Sequence, residues 1–453
     1  MKTKPSLTAL TLAVALSGCV SQVEPPYSEQ AQTNLGEDVA WIAQSADAKD
    51  TRTLLQLLPL PEVQTLVDEA LSNNPGLQQT FITLKQSRIS ETLANADGLP
   101  DVSLSFDGSK SKDTDTQYTT SVDVSWEVDV WNKIGNSVSA AEFASQSYAA
   151  TLQAAQATLT SSVMQAYLDI IAEQKIIEIE KKKLVALQNS ESVILTRYRT
   201  GLGTLDDLDT ARTSSASTMA SIAEYENDLA TAKRTLAVLL GRTSLAVDDL
   251  TGEENFPDVV QPLASMPEQD LARRPDLIAA YYDIKSKESS EMVAYKDLLP
   301  SLSISASLTD SDDTPALSLL KDPVWTLLGG ITAPLFQGGT LRANLASAKL
   351  DTLNSWWAYQ ETLLTAVQEV QAALDLEHSY QLRQQYIQQA YESAKRSQDN
   401  YSSQYRQGLV DVLDLLSVTQ TTYSLEAQLV ELQRNQLSNR IDLGLALGLG
   451  VSS

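Results

Sequence analysis

Residues 405–415 read YRQGLVDVLDL and place a glycine turn between two long helical patterns. Residues 198–208 read YRTGLGTLDDL, so the same Tyr-Arg-x-Gly-Leu opening occurs 207 positions earlier. The Leu-Gly pair at 240–241 returns at 447–448 with the same offset. Two landmarks with one spacing indicate an internal duplication. Each copy therefore predicts a long helix, a tight turn and a second long helix, with the acids of both turns at one end of the molecule.

The N-terminal residues have the pattern of an export signal. Lys2 and Lys4 precede an apolar run over residues 7–16, which is too short to span a bilayer. Residues 16–19 read LSGC and resemble a bacterial lipobox, in which Cys19 is lipidated and becomes the first mature residue. The alternative is an ordinary signal peptide with a chance cysteine.

The residue after the cysteine bears on the destination. Val20 stands where Asp would favour retention at the inner membrane, so the segment fits export to the outer membrane. We predict a lipoprotein signal peptide over residues 1–18 and a lipidated spacer over residues 19–60. Residues 21–50 are polar and are predicted to be extended, with little structure of their own. The covalent lipid on Cys19 is the only cofactor expected.

Charge and residue usage exclude several classes of function. A net charge of −25 argues against binding to nucleic acid or to an anionic membrane surface. This charge has two interpretations, a solvated surface or a field that attracts cations. The single histidine, His378, lies within a helical pattern, so a histidine-based triad and a His-rich metal site are not expected. Residues 201–203 (GLG) lack the preceding strand and the third glycine of a nucleotide loop, and we predict no enzyme.

Three segments change from helical to alternating periodicity. Residues 102–107 (VSLSFD), 122–128 (VDVSWEV) and 301–308 (SLSISASL) alternate apolar and polar side chains, which predicts strands. A fourth strand is predicted over residues 325–335, with a bend at the Gly-Gly pair 329–330. The polar segments 108–120 and 310–313 are predicted to be the hairpin loops. The offset between the repeats grows from 200 to 207 across this region, so the second hairpin loop is expected to be longer by seven residues.

The alternating faces have two possible surroundings. In a soluble protein the apolar face would cover a core, whereas in an outer-membrane barrel it meets lipid and the polar face lines a water-filled lumen. No segment is left over to cover such a sheet, and strands of about ten residues match a tilted membrane crossing. We therefore favour the barrel. Four strands cannot close one, since about eight are needed, so the chain must combine its strands with copies of itself.

The long helices predict rods rather than a compact body. Residues 136–200 and 341–405 contain neither Pro nor Gly. A helix of about 60 residues extends about 90 Å. Returning helices are predicted over residues 205–240 and 413–447. Their seams are rich in Ala, Ser, Thr and Gln, so we expect coiled-coil pairs that assemble side by side into a hollow wall.

The chain is therefore predicted to be mainly α with a small β part and two similar halves. The first repeat covers residues 61–255 and the second covers residues 256–453. Each contains a helix, a β-hairpin and a long helical hairpin. The predicted ranges are 101–128 and 136–241 in the first repeat, and 301–335 and 340–448 in the second.

Three local phrases resemble a known family. Residues 126–135 (WEVDVWNKIG), 273–277 (RRPDL) and 333–342 (APLFQGGTLR) are similar to phrases of the TolC-like outer-membrane factors, the NodT/OprM-like efflux lipoproteins of tripartite RND-type pumps. The resemblance covers nearly the whole mature chain. Asn132 departs from it, because the family usually has Gly there, and only a local change in the turn is expected.

The resemblance implies a homotrimer with a twelve-stranded transmembrane β-barrel and a periplasmic α-barrel in the cell outer membrane. It implies a periplasmic adaptor protein and an inner-membrane RND-type pump as partners, together with outer-membrane lipid. The implied function is a passive exit duct for drugs and other small toxic molecules. Type I protein secretion is the alternative channel function, and a structural coiled-coil surface protein is the alternative outside transport.

Two groups of residues at the turns are candidate sites. The resemblance implies that the tips bind the adaptor, through Tyr198, Arg199 and Gly201 in the first repeat and Tyr405, Arg406 and Gly408 in the second. The other interpretation of each glycine is a helix C-cap. Both roles can hold together.

The acids at the turns are the second group. Asp411 and Asp414 lie three residues apart at the start of a helix, and Asp207 corresponds to Asp414 at the offset of 207. The family has aspartate rings at the closed periplasmic end, which implies that these residues form a gate and selectivity site. The alternative is that they are N-terminal helix acids favoured by the helix dipole.

Overall fold

The computed structural model describes residues 26–35, 53–243, 256–257, 273–316 and 318–450. Within them the helices are α1 (Tyr27–Leu35), α2 (Pro61–Asn73), α3 (Pro75–Ala96), α4 (Lys133–Arg199), α5 (Leu205–Leu239), α6 (Pro275–Lys296), α7 (Thr340–Arg406) and α8 (Val412–Ala446). The strands are β1 (Asp101–Ser109), β2 (Gln117–Val128), β3 (Ser301–Asp312) and β4 (Val324–Thr332). The prediction of a mainly helical chain with a small antiparallel sheet is confirmed.

The duplication holds residue by residue in the helical hairpins. α4 and α7 each contain 67 residues, and α5 and α8 each contain 35. All four pairs of helix ends are related by the offset of 207 that the two turns predict. α4 packs against α2, α3, α5, α6 and α8, whereas α7 packs against α1, α6 and α8.

The four strands form one antiparallel sheet in the order β1-β2-β3-β4, so the β2–β3 pairing joins the two repeats. The last pair of the first hairpin is Ser109–Gln117 and that of the second is Thr309–Val324. The two tips therefore contain 7 and 14 residues, and the predicted seven-residue difference is confirmed.

Three details of the predicted strands are wrong. The loop of the first hairpin is shorter than residues 108–120 because its polar residues continue the ladder, and β3 likewise extends through Asp312. β4 ends at Thr332 instead of 335, just before Ala333 and Pro334, and proline has no N–H to donate. Gly329 and Gly330 both stay in register with β3, so no bulge interrupts the ladder there.

One face of the sheet is mainly apolar and the other is mainly polar. In register across the strands, Val102, Leu104 and Phe106 share a face with alternate residues of the other strands. Those residues are Val122, Val124, Trp126, Val128, Leu302, Ile304, Ala306, Leu308, Trp325, Leu327 and Ile331. The opposite face presents mainly Ser, Thr and Asp. Val102, Leu104 and Ile331 are mostly exposed in the single chain, so this apolar face is uncovered.

The turn after β2 fixes the sheet on the helices. The Asp129 carboxylate accepts the N–H groups of Lys133 and Gly135, the latter at 2.8 Å, and so caps α4. The indole N–H of Trp131 donates to the carbonyl of Pro300 at 2.7 Å. Asn132 has φ 58°, the left-handed conformation that glycine adopts freely and asparagine tolerates. Asn132, which stands where the family usually has Gly, therefore keeps a backbone conformation that glycine would also adopt.

The Leu-Gly landmarks mark a close approach at the ends of α5 and α8. Gly241 and Gly448 both have φ near +75° (73° and 77°) and end these helices. A Cβ at Gly241 would lie 2.6 Å from the carbonyl oxygen of Asn73, and one at Gly448 would lie 3.1 Å from the nitrogen of Arg274. Any larger residue would push these backbones apart, which explains why the pair recurs.

Asn74 and Arg274 connect these same ends to the short helices. Asn74 Nδ2 donates to the carbonyl of Leu239 at 2.9 Å, and Arg274 Nη1 donates to the carbonyl of Ala446 at 2.9 Å. The two carbonyls are 207 residues apart, so they are equivalent in the duplication. Each repeat thus makes the same hydrogen bond with a different side chain, Asn74 in the first and Arg274 in the second. Arg274 is buried and also pairs with Asp276 and Glu369, which explains the RRPD phrase.

The N-terminal spacer is more ordered than predicted. Residues 27–35 form α1, where the sequence predicts an extended segment. The helix is held by tertiary contacts, since Tyr27 stacks on Trp356 at 5.6 Å and Tyr359 Oη donates to the carbonyl of Ala31 at 3.1 Å. Ser28 Oγ donates to the carboxylate of Glu288 at 2.6 Å. Packing thus overrides a weak local preference. Residues 1–25, with the predicted signal peptide, and residues 36–52 lie outside the described residues.

Two exposed apolar stripes face away from the body. One is on α3 (Ile82, Ile89, Leu93) and the other is on α7 (Leu350, Trp357, Leu364). Among the described helices, none combines the length and hydrophobicity that a transmembrane helix requires.

Candidate docking and gating site at the helix tips

The first turn closes α4 with a Schellman motif. Gly201 has φ 73°, its N–H donates to the carbonyl of Tyr198 at 3.0 Å, and the N–H of Leu202 donates to the carbonyl of Arg197 at 2.8 Å. These bonds satisfy carbonyls that the helix end would leave unpaired. Thr204 then caps α5.

The second turn repeats this geometry. Gly408 has φ 74°, its N–H donates to the carbonyl of Tyr405 at 2.9 Å, and the N–H of Leu409 donates to the carbonyl of Gln404 at 2.9 Å. The C-cap interpretation of both glycines is therefore realised. It is compatible with docking, because no atom lies within 4 Å of a Cβ built at either glycine and both sites face open space.

The turn acids occupy two kinds of position. Asp411 is the N-cap of α8, with extended backbone and its carboxylate accepting the N–H of Val412, so it precedes the helix rather than lying on a helical face. Asp414 is the third residue of α8 and is exposed. Asp207 is the third residue of α5, so its predicted correspondence to Asp414 holds in the structure.

Asp207 takes part in a capping box with Thr204. The N–H of Asp207 donates to Thr204 Oγ1 at 3.1 Å, and the N–H of Thr204 donates to Asp207 Oδ2 at 3.1 Å. These hydrogen bonds from Thr204, together with the nearby Arg197, hold the pKa of the Asp207 carboxyl below its usual value. Asp207 therefore stays ionised at neutral and mildly acidic pH.

A small apolar cluster holds the two tips together. Ile194 of α4, Leu208 and Ala211 of α5, and Val412 of α8 are buried against one another, and Tyr405 of α7 packs on them. All four long helices thus contribute to this cluster, which confirms that both turns lie at the same end of the molecule. The Tyr405 ring is partly buried there, whereas Tyr198 is more exposed.

Sequence reasoning missed two features of the tips. Arg197 pairs with Asp411 across the turns, with 3.5 Å between Nη1 and Oδ1. The equivalent position in the second repeat is Gln404, so comparing the two repeats does not single out Arg197. Leu202, Leu205 and Leu409 are exposed beside the predicted docking residues Arg199 and Arg406, which are also exposed. The tip surface therefore combines apolar side chains, cations and helix-capping acids.

This arrangement suits contact with another helical end and the binding of cations. The exposed Tyr198 ring and the exposed arginines beside the open glycines are of the residue types that commonly anchor protein interfaces. The carboxylates of Asp207, Asp411 and Asp414 at the tips are exposed or partly exposed groups of a kind that attracts cations. Cys19, the predicted lipidation site, lies outside the described residues.

The profile of the family described as "Outer membrane efflux protein" matches residues 66–242 and 266–449. The "Probable outer membrane lipoprotein SilC" of Salmonella typhimurium is 25% identical over 463 residues, which covers 99% of each chain. The "Cation efflux system protein CusC" of Escherichia coli O6:H1 is 27% identical over 459 residues, which covers 98% of each chain.

Solved structures show the same fold. The Campylobacter jejuni CmeC outer membrane channel superposes with a TM-score of 0.82 at 20% sequence identity. The match covers 93% of this chain and 92% of that chain.

Proposed function

Because this chain belongs to the outer membrane efflux protein family and is an outer membrane efflux channel rather than an enzyme, we propose that it works as a homotrimeric exit duct. In this role it passively carries drugs and other small toxic molecules to the exterior. Its partners are a periplasmic adaptor protein and an inner-membrane RND-type pump. Neither nucleic acid nor a metal cofactor takes part.

The observation that carries the proposal is the four-stranded sheet with an uncovered apolar face and two open edges. In lipid, unpaired backbone groups at an edge would each cost several kcal/mol, about 2–7 by transfer estimates, so the edges must pair. Four strands are too few to close on themselves. Three copies would supply twelve strands, which is the number that the family resemblance implies.

The helices support the same assembly. Within the chain, α4 of the first repeat packs on α6 of the second. By the duplication, α7 corresponds to α4 and α3 corresponds to α6. α7 of one copy would therefore pack on α3 of the next, and these two helices carry the exposed apolar stripes. Repeating this contact around an axis produces a ring of helices below the barrel.

At the far end of that ring, the tips are proposed to dock the adaptor through Tyr198, Arg199, Gly201, Tyr405, Arg406 and Gly408. Asp207, Asp411 and Asp414 are proposed to form carboxylate rings that constrict the pore and favour cations. The adaptor would open the tip by separating the helices, which shifts a two-state equilibrium. At the other end, a lipid on Cys19 is proposed to add a second membrane attachment.

Planar-bilayer recording with the purified protein tests the channel. We expect discrete conductance steps from a preparation whose mass is that of three chains. A preparation of monomers without conductance would contradict the proposal and favour a structural coiled-coil protein. Deleting the gene should raise sensitivity to small toxic molecules; loss of a secreted protein with unchanged sensitivity would favour type I secretion instead.

A further inference from the structure

A group of polar side chains lies in the seam between α7 and α8. Arg440 Nη2 donates to Glu377 Oε1 at 2.6 Å, and Gln436 Nε2 donates to Gln384 Oε1 at 3.1 Å. Asn439 Nδ2 donates to a backbone carbonyl of α7 at 3.0 Å. These five side chains form the seam network. Gln436, Asn439 and Arg440 are only 3%, 4% and 5% exposed, so their hydrogen bonds must come from the protein or from bound water.

Two atoms of the seam network have no partner. Within the part of the chain that the structure describes, no donor reaches Gln436 Oε1 and no acceptor reaches Arg440 Nε. Both atoms are buried, and their residues lie four positions apart on the same face of α8. A buried polar atom without a hydrogen bond is costly, so each of these atoms calls for a partner.

The two atoms require opposite properties of a ligand. The amide oxygen of Gln436 can only accept a hydrogen, and the Nε–H group of Arg440 can only donate one. A chloride ion could accept from Arg440 but could not donate to Gln436. A metal cation could bind the amide oxygen but would be repelled by the guanidinium. A water molecule both donates and accepts, and buried waters commonly join such groups.

We propose that one water molecule binds in this seam, accepting from Arg440 Nε and donating to Gln436 Oε1, and that the completed seam network identifies α8 as the partner of α7. Water has a route to the site. A cavity of about 270 Å³ opens beside the seam, and it is lined by Leu376 and Tyr380 of α7 and by Asn439 of α8. Asn439 therefore belongs both to the cavity wall and to the seam network.

The first repeat has a different seam at the equivalent positions. At the offset of 207, Arg440 corresponds to Lys233, but Glu377 corresponds to Ile170 and supplies no carboxylate. Ile170 is buried, as is Lys233. The other equivalent residues are also apolar, and they are Ile177, Leu229 and Ala232. The seam network is thus a property of the second repeat alone.

This difference matters because the two repeats have the same dimensions. α5 and α8 each contain 35 residues, and α4 and α7 each contain 67, so length does not decide which short helix pairs with which long one. If α8 took the place of α5 on α4, Arg440 would be buried against Ile170 and Gln436 against Ile177. A buried charge without its partner is strongly unfavourable, so the seam network disfavours this incorrect pairing.

A high-resolution crystal structure of the full chain tests the water site. We expect density for one water within about 2.7–3.2 Å of both Gln436 Oε1 and Arg440 Nε. In Gln436→Leu, which introduces the residue of the first repeat, this density should disappear while the contact between Arg440 and Glu377 remains. Ordered side chains with no density between them would overturn the water site, as would a direct bond between the two atoms or density that persists in the variant.

Transplanting the seam of the first repeat into the second tests the role in pairing. The same residue types already form the seam between α4 and α5, so the variant can fold. Its matched control is Ile170→Leu with Ile177→Leu, which conserves the volume of the apolar seam. Each protein is unfolded in urea and refolded into detergent, and the fraction of chains that regain resistance to trypsin is measured. The transplant consists of Glu377→Ile, Gln384→Ile, Gln436→Leu, Asn439→Ala and Arg440→Lys.

We expect the folded transplant to unfold at a midpoint no lower than that of the wild type, because replacing a buried ion pair by apolar groups is often neutral or stabilising. Its refolded fraction should nevertheless fall at least about twofold, because the two seams no longer differ. An unchanged refolded fraction would overturn the role in pairing, and so would an equal fall in the control. A lower midpoint that accompanies the lower refolded fraction would also overturn it, since the seam network would then act on stability alone.

Discussion

The guanidinium of Arg197 lies 3.5 Å from the carboxylate of Asp411, and so the end of α4 is bonded to the start of α8. Asp411 has two roles at once, because its carboxylate also accepts the N–H of Val412 as an N-cap. The contact connects the turns of the two repeats at the proposed gate. A charge pair at this place can stabilise the arrangement in which the tips stay together.

We expect Arg197→Ala to favour the open tip only modestly. The two side chains are about half exposed, and such pairs contribute about 0.2–1 kcal/mol. The ratio of open to closed channel should therefore rise by no more than about fivefold at low salt, and the difference should shrink at high salt. Single-channel recording measures this ratio. Arg199→Ala is the matched control, and an equal effect from it would show that the ion pair is not responsible.

The carboxylate rings make a second prediction. Replacing Asp411 and Asp414 together by Asn removes two charges per chain while an amide oxygen can still accept at the N-cap. The variant should lose block by polyvalent cations added from the periplasmic side and should show weaker cation selectivity. Asp375→Asn, an exposed acid in the middle of α7, is the control. Block and selectivity equal to the wild type would place the constriction elsewhere.

The docking surface makes a third prediction. Gly201→Trp or Gly408→Trp should abolish drug resistance while leaving assembled protein in the outer membrane, because the ring would project into the open space where the adaptor binds. Positive φ at these sites costs about 1 kcal/mol for any other residue. Gly→Ala at the same positions shares that cost without the bulk and should retain resistance. Full resistance in the Trp variants would argue against docking at the tips.

The lipid anchor makes a fourth prediction. Cys19→Ala should prevent acylation yet leave the protein in the outer membrane, because the barrel strands hold it there without the lipid. Membrane fractionation and mass spectrometry of the mature N-terminus provide the two measurements. A fully soluble variant would show that the strands alone do not anchor the chain.

A fifth prediction concerns the pH dependence of stability. Burial raises the pKa of the Asp442 carboxyl, and the hydrogen bond from Gln165 Nε2 only partly opposes this. Between the ordinary value of an aspartate, about 3.9, and the raised value, the folded state binds more protons than the unfolded state. The free energy of unfolding therefore falls as pH rises through that window.

Asp442→Asn should remove this cost and still accept from Gln165. We expect its unfolding midpoint in detergent to exceed that of the wild type at pH 7. The difference should disappear when the pH is lowered to the ordinary range of an aspartate. A difference that is constant with pH would show that packing, not ionisation, separates the two proteins.

Much of this fold could be predicted because its signals are periodic and repeated. The absence of Pro and Gly from residues 136–200 and 341–405 defined the long helices to within a few residues. Alternation located three strands, the repeat located the fourth, and the change of offset gave the difference between the hairpin tips. Strand ends were less predictable. Asp310 and Ser311, for example, are poor strand formers, and they join β3 because β2 lies beside them and pairs with them.

The contacts that depend on tertiary structure were not visible in the sequence. α1 forms in a polar spacer because it packs against Trp356 and Tyr359, which lie more than 300 residues away in the sequence. Arg197 acquires its role from Asp411, 214 positions further on. The turn acids were correctly placed at the tips, but the capping geometry that distinguishes Asp411 from Asp414 depends on where the helix starts, which sequence patterns locate poorly.

The hydrogen bonds of Asn74 and Arg274 hold the C-terminal ends of α5 and α8, so these bonded ends are points about which the two helices can tilt. Each lies at one end of a 35-residue helix whose other end is the tip. Such a helix is about 52 Å long, so a tilt of about 5° about its hydrogen-bonded end would displace the tip by about 5 Å. That movement exceeds the 3.5 Å that separates Arg197 from Asp411. The end of α8 is held by the buried guanidinium of Arg274 with two carboxylates. The end of α5 is held by the Asn74 amide and by the ion pair of Arg242 with Glu69, so a tilt of either helix must work against a charged contact at its base.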